Sequence, residues 1–335
     1  MKKKILSLLM SLVMIAGLAV VPAGTADAAS NKGGVVLGKF WDDVSWNTAD
    51  WNNRVDMYVW GSDTPITLSS NATLSYTLYM PKYIFDKKGS GDGTHAFSLL
   101  FQLELYNGDE WLGQLRSTAD MWVIKEDGEY NVRVDGIDGA DGGDANAWSS
   151  VKEVGDYAVL TVKDYPLGGN VFRWDDNAGQ EVSNPLDFSK QYTFDTVLQL
   201  CPNNGIGGDV MFVIDDIQIK DSGNVIFSQD FENADQNCMS SWFPEHEDDH
   251  TLHKGTAYTT SILSLKEKNT TVKVGKKAKI KATAIKGATV TYKSNKPKVA
   301  TVDKNGKVKG LKKGKAVISV SCMGKTLKYT VKVTK

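Results

Sequence analysis

The sequence predicts an all-β protein: a large jelly-roll β-sandwich followed by a small two-sheet β-sandwich. Two observations carry the prediction. First, apolar and polar residues alternate with period two in one short segment after another. Gly-, Asp- and Asn-rich turns separate the segments, and no stretch of about 15 residues shows a helical repeat. Second, charge and aromatic content change abruptly near Ser261–Ser264. Residues 29–262 hold 15 Lys+Arg against 37 Asp+Glu, a formal −22, while residues 263–335 hold 21 lysines against Glu267 and Asp303, a formal +19. All nine tryptophans precede the change. The net charge of −1 therefore hides two opposite halves, expected to be separate domains at 29–262 and 263–335.

The segment ahead of both reads as a targeting signal. Lys2, Lys3 and Lys4 precede an apolar run from Ile5 to Val21, and Ala26-Asp27-Ala28 forms a small-x-small cleavage site, so residues 1–28 are expected to be removed on export. No second apolar run is long enough to span a bilayer. The expectation is a soluble monomer, secreted or held at the bacterial cell surface. Export suits Cys201 and Cys238, which could form a disulfide within the acidic half; Cys322 stands alone in the basic one.

In the basic half the expected strands are Thr271–Val274, Ala278–Ala284, Val290–Lys293, Val299–Val302, Lys307–Val308, Ala316–Val320 and Leu327–Val333, with Asn305-Gly306 as a hairpin turn. So many strands in so short a stretch make a small sandwich. The run VTYKSNKPKVATVDKNGKVKGLKKGKAVISV, residues 290–320, closely resembles the group 2 bacterial immunoglobulin-like domain. Tyr292, Ser294, Val299, Ala300, Val302, Gly306, Val308, Gly310, Leu311, Gly314, Ala316 and Ile318 carry the match. The resemblance implies an immunoglobulin-like β-sandwich that serves as a surface-exposed spacer or adhesive module, without catalysis. Its lysines alternate with buried positions and form a solvated positive field. The counter-charge outside a cell would be an anionic cell-wall polymer or acidic polysaccharide; otherwise the lysines only keep a spacer soluble. Nucleic acid is not expected, because the domain has no arginine and only Tyr292 and Tyr329 as aromatics, hence no stacking platform.

The acidic half reads as strands at Leu74–Met80, Leu99–Tyr106, Met121–Lys125, Tyr130–Val134, Tyr157–Val162, Tyr192–Leu200, Val210–Lys220 and Val225–Phe231. In Leu99–Tyr106, Leu99, Phe101, Leu103 and Leu105 share the core face; Gln102, Glu104 and Tyr106 share the other. A face that mixes amide, carboxylate, guanidinium and indole suits a sugar: pyranose C–H faces stack on flat aromatics, and hydroxyls need fixed polar partners. The expected platforms are Trp111 and Trp122, with Trp60 a further candidate, and the expected hydroxyl partners are Gln102, Glu104 and Arg116. Any single tryptophan is expected to be structural, a core or core-edge residue, while at least two of the nine are expected to form an exposed platform. Ile214-Asp215-Asp216-Ile217-Gln218-Ile219 and Tyr76–Pro81 resemble strands of jelly-roll carbohydrate-binding modules, including mannan-binding ones. In this chain Phe231-Glu232 follows the Asp-Asp strand, whereas an F-E strand usually opens such modules. That resemblance implies non-catalytic binding and a structural Ca2+ held by Asp215, Asp216, Asp230 and Glu232. The alternative is Asp135, Asp138, Asp141 and Asp144, acids recurring every third residue among glycines, which otherwise form a solvated loop. A formal −22 repels uronate-rich chains and leaves a neutral polysaccharide as partner, β-mannan first and β-glucan next.

One catalytic pattern is present. His246-Glu247-Asp248-Asp249-His250 satisfies H-E-x-x-H. Its two central aspartates and polar flanks leave no apolar face for a buried zinc helix, so a polar surface loop is expected. A jelly-roll glycanase or polysaccharide lyase is the stronger rival, but the chain lacks an E-x-D-x-x-E strand, and His95 is the one histidine in the strand region. The expectation is a protein that binds and does not cut; the other alternative is a surface adhesin for host protein or glycoprotein.

Overall fold

Period-two alternation resolves into strands throughout the computed structural model, which describes residues 29–40, 54–85, 97–116, 121–134, 148–202, 208–234, 236–242 and 255–335. The first eight are β1 (Ala29–Phe40), β2 (Val55–Thr67), β3 (Ala72–Pro81), β4 (Phe97–Asn107), β5 (Glu110–Leu115), β6 (Met121–Glu126), β7 (Glu129–Val134) and β8 (Ser149–Val154). Then come β9 (Tyr157–Pro166), β10 (Asn170–Asp175), β11 (Gln180–Pro185), β12 (Gln191–Pro202), β13 (Gly208–Asp221), β14 (Asn224–Gln229), β15 (Met239–Trp242) and β16 (Gly255–Leu265). The basic half holds β17 (Asn269–Lys273), β18 (Lys277–Lys279), β19 (Ala282–Ala284), β20 (Thr291–Ser294), β21 (Ala300–Val302), β22 (Lys307–Gly310), β23 (Gly314–Cys322) and β24 (Lys325–Thr334). Among the described residues the one helical element is a 3-10 turn at Lys82–Phe85, and no helix is long and apolar enough to cross a membrane.

Two sheets form the large sandwich. The front sheet runs β11-β10-β5-β4-β12-β2-β15, with β6 and β7 attached beside β4; the central sheet runs β19-β16-β1-β13-β3-β9-β8, with β14 on β13. Their facing sides share one core. Leu99, Phe101, Leu103 and Leu105 of β4 and Met57 and Val59 of β2 meet Leu74, Tyr76 and Leu78 of β3 and Phe212 and Ile214 of β13. The phase expected for β4 is the phase observed.

The central sheet is apolar on both sides, and this brings the halves together. Val35, Tyr79, Tyr157, Val159 and Val213 point away from the first core and join a second one with Leu265, Ile280, Ile318, Cys322, Met323 and Tyr329. The basic half is thus a sandwich of its own, with sheets β17-β24-β23-β20 and β18-β22-β21, and also the cover of the central sheet. Strand β16 crosses the change in composition without a break. It pairs with β1 from Gly255 to Leu265, and its last three residues pair with β19 on the other side. The expected single strand Ala278–Ala284 is two: β18 joins the three-stranded sheet, and β19 turns past buried Ile280 to edge the central sheet.

The Asp-Asp motif is a β-bulge. Strict alternation would put Ile214 and Ile217 on opposite faces. A register shift after Asp215, with Asp216 in the left-handed region (φ 52°), keeps Ile214, Ile217 and Ile219 all in the core. The displaced carboxylates face the basic half, where Lys325 Nζ lies 2.9 Å from Asp215 and 2.8 Å from Asp216. Beside it, Tyr157 Oη donates to the Lys286 carbonyl at 3.0 Å. Burial pushes the Asp215 carboxyl up to about 7, with Lys325 pulling it down and Asp216 adding to the rise. For Lys325, burial lowers the ammonium pKa, but the bonds and charges of both aspartates outweigh it and leave it raised.

Two outcomes follow from this packing. A chain ending at Ile262 uncovers two tyrosines and three valines, so it should melt lower than the full chain by on the order of 10 °C or more. The full chain should give one calorimetric transition; two transitions matching the isolated halves would show that the second core does not couple them. The second outcome concerns pH. An acid whose folded pKa exceeds its unfolded value holds its proton more tightly in the native state, so its stabilising contribution is full below about pH 4 and is lost towards pH 7. Denaturant titrations should show the wild type losing stability relative to Asp215→Asn across that window and levelling off above it. A wild type that instead gains stability relative to Asp215→Asn as pH rises would mean that Lys325 holds Asp215 ionised.

Candidate functional site

The front sheet turns one side to the core, and its other side carries most of the described tryptophans together with a row of polar side chains. On β2, Asp56, Tyr58 and Trp60 alternate with core residues Val55, Met57 and Val59. On β10, Phe172 and Trp174 alternate with Val171, and on β6, Trp122 sits between Met121 and Val123. On β15, Trp242 lies opposite Asp56, with Arg54 over its ring at 5.2 Å. Trp111 joins the same face through its bond to Glu104. Of the six described tryptophans, five therefore share this face; Trp148 packs instead against Tyr165. Trp60, Trp111, Trp174 and Trp242 are exposed by 39%, 41%, 62% and 42%. The core did not absorb them.

A polar row crosses the middle of the face. Register places Gln114 and Asp195 on either side of Glu104, with Phe172 beyond Gln114. Glu104 is the row's organiser. Its Oε2 accepts from Trp111 Nε1 at 2.6 Å, and its Oε1 accepts from Gln114 Nε2 at 3.2 Å and Gln102 Nε2 at 3.4 Å. The first of these fixes an indole that would otherwise swing in solvent. On the other flank, Gly61 N donates to Asp195 Oδ1 at 3.1 Å, and a Cβ at position 61 would strike the Phe194 carbonyl. Only glycine lets β2 pass there, which seats Trp60 beside the row. Burial raises the Asp195 carboxyl, with Gly61 N opposing and Asp63 reinforcing the rise. Burial, then Glu104 and Asp195, push Tyr106 up to about 12, so it stays a neutral phenol.

Next to this row lies an unmet donor–acceptor pair. Arg116 Nη2 donates to both oxygens of Glu181 at 2.6 Å, and its guanidinium stacks over Phe172 at 4.3 Å. Its Nε is buried without a hydrogen-bond partner, and so is Gln102 Oε1. Arg116 follows Leu115, the partner of Leu103, so it sits beside Gln102.

The structure brings Gln102, Glu104, Trp111 and Arg116 into one patch. Trp60 lies across the sheet from them, and Trp122 lies further down the same face opposite Ser98. Glu104 serves to orient its neighbours, and its oxygens are already engaged by protein donors. Sequence reasoning passed over Trp174, Trp242, Gln114, Phe172 and Asp195. The alternations V-D-M-Y-V-W (55–60) and N-V-F-R-W-D (170–175) carried a signal for β2 and β10.

The expected calcium ligands do not converge. Lys325 already meets Asp215 and Asp216, Asp230 accepts from Glu232 N at 3.0 Å, and Glu232 accepts from Lys32 N at 2.7 Å. Among the described residues no group of three or more His, Cys, Asp or Glu side chains is placed to hold a metal. The Asp135–Asp144 stretch, His95 and the H-E-x-x-H segment lie outside the described residues. Cys201 and Cys238 are not bridged; the Cys238 thiol lies 3.0 Å from Thr259 Oγ1.

Comparison with known proteins bears on the basic half. Residues 259–333 match the bacterial Ig-like domain (group 2). The match reaches back into β16, which the two sandwiches share, and it agrees with the observed sheets. No curated protein matches the chain. Among solved structures, a crystal structure of the S-layer protein SbsC domains 4 and 5 is 12% identical over 70% of this chain and 99% of that one. Its TM-score of 0.20 is too low for the likeness to bear on fold or function.

Replacing Glu104 by Leu would strand three donors at once. Urea denaturation should show a loss on the order of 3 kcal/mol, since each buried donor left unmet costs about 1–3 kcal/mol and partial solvent access offsets some of it. Trp111 emission should shift to the red in parallel.

Proposed function

We propose that this is a bacterial surface or secreted protein that binds a neutral polysaccharide on its front sheet. The observation that carries this reading is the set of five tryptophans on one face around a polar row. Exposed indoles bind the apolar faces of pyranose rings, and the polar side chains between them can meet sugar hydroxyls. The carboxylate surplus of the acidic half disfavours uronate-rich or sulfated chains and leaves β-mannan and β-glucan as the first partners to try. The bacterial Ig-like domain supports placement at the surface, where the covered central sheet would hold the binding face pointing away from the basic half.

A second reading rests on one observation. Asp195 lies directly opposite Glu104 in the ladder, and side chains so paired stand about 5 Å apart at Cβ, the order of the carboxylate separation in a retaining glycosidase. Against it, both Glu104 oxygens are occupied by protein donors. Binding without hydrolysis is therefore the primary reading.

Affinity electrophoresis against soluble mannans, glucans, xylans and pectins separates these readings. A neutral glycan should retard the protein, and Trp60→Ala, Trp111→Ala or Trp174→Ala should each weaken binding by roughly 1–3 kcal/mol. No retardation by any glycan would favour an adhesin for protein. New reducing ends that disappear in Asp195→Asn would favour the glycanase.

A further inference from the structure

The lysines of the basic half are arranged, beyond being numerous. In the three-stranded sheet Lys277 pairs directly with Lys309, and Lys279 directly with Lys307. All four are exposed, while Ala278, Val308 and Val302 between them point inward. Directly opposed like charges destabilise a sheet, so this two-by-two lattice costs the domain stability. A sheet that needed only solubility could alternate lysine with glutamate or threonine. Asp303 lies beside this sheet, and its Oδ1 accepts the backbone N–H groups of Asn305 and Lys307. It is one negative charge against four positive. The bonds that tie the basic half to the central sheet come from β16, β19, the Lys286 carbonyl and Lys325, none of them in this sheet. The lattice faces outward.

We propose that the face formed by Lys277, Lys279, Lys307 and Lys309 binds a linear, base-free polyol phosphodiester polymer outside the cell. Ammonium stems rooted about 5 Å apart across strands and about 7 Å apart along them give a two-row track of point charges. Such a track suits a chain with one charge per short repeat. The chain has no arginine after Arg173, so this face offers only ammonium point charges, with which lysine commonly binds phosphate. The face has no aromatic group for stacking bases. This site is independent of the glycan face on the front sheet, and the two would let one molecule bridge a charged polymer and a neutral one.

The test uses the full exported chain and poly(glycerol phosphate) as the probe, with polygalacturonate and duplex DNA as competitors of matched charge. Affinity for poly(glycerol phosphate) should fall at least tenfold in Lys277→Gln/Lys279→Gln/Lys307→Gln/Lys309→Gln, and the slope of log affinity against log salt should drop by roughly 3. The same number of substitutions at Lys293, Lys296, Lys298 and Lys328 should change affinity less than threefold. Relief of like-charge repulsion should also leave the lattice variant melting no lower than the wild type. If it does melt lower, the two-residue variants Lys277→Gln/Lys309→Gln and Lys279→Gln/Lys307→Gln provide the comparison at the same salt. Equal losses in the lattice and control variants would reduce the effect to net charge and overturn the proposal, as would polygalacturonate or DNA binding as tightly as poly(glycerol phosphate).

Discussion

A β-sheet that is apolar on both sides must be covered on both sides, and the central sheet is such a sheet. Strands β1, β3, β9 and β13 send one set of side chains into the core shared with the front sheet. Val35, Tyr79, Tyr157, Val159 and Val213 go the other way. At roughly 1.5–3 kcal/mol for each such side chain removed from water, leaving the second side bare would be costly. The basic half supplies the cover. The molecule is therefore three layers deep, with the front sheet on one outside and the lysine-rich sandwich on the other. The docking is more than apolar contact, since Lys325 sits between Asp215 and Asp216 at the bulge. An ammonium there does what a bound cation would otherwise have to do.

Because the central sheet takes the cover, the front sheet keeps an outer side free for chemistry. That side shows what alternation permits: one residue in two packs the core, and the other is available. Large indoles on such a face lose contact with the core but gain orientation from polar neighbours. The bond from Trp111 to Glu104 and the stacking of Arg116 on Phe172 are two instances. The buried polar atoms left unmatched at Gln102 and Arg116 carry a desolvation cost.

The charge asymmetry has a structural counterpart. The acidic half spends two carboxylates on Lys325, and most of its other described carboxylates face solvent. The basic half sets lysines opposite one another at Lys277–Lys309, Lys279–Lys307 and Lys315–Lys332. Repulsion of this kind is tolerated where hydrophobic packing on the inward face outweighs it, as the buried Ile280, Val308 and Ile318 indicate.

Strand content, the phase of β4 and the small immunoglobulin-like sandwich were legible in the chain, because side-chain period and turn chemistry are local properties. The cluster of Gln102, Glu104, Trp111 and Arg116 was legible for the same reason: those residues lie on one hairpin. Other features could not be read locally. Asp215-Asp216 resembled a cation site in sequence. Its cation proved to be Lys325, 109 positions past Asp216, and that pairing exists only once two sheets dock. Trp174 and Trp242 joined the front face through strand order, which no single segment encodes. The change at Ser261–Ser264 marked a true shift in composition, yet the chain crosses it inside β16. Composition reports which solvent or partner each stretch faces, whereas continuity is set by backbone hydrogen bonds, which take no account of side-chain charge.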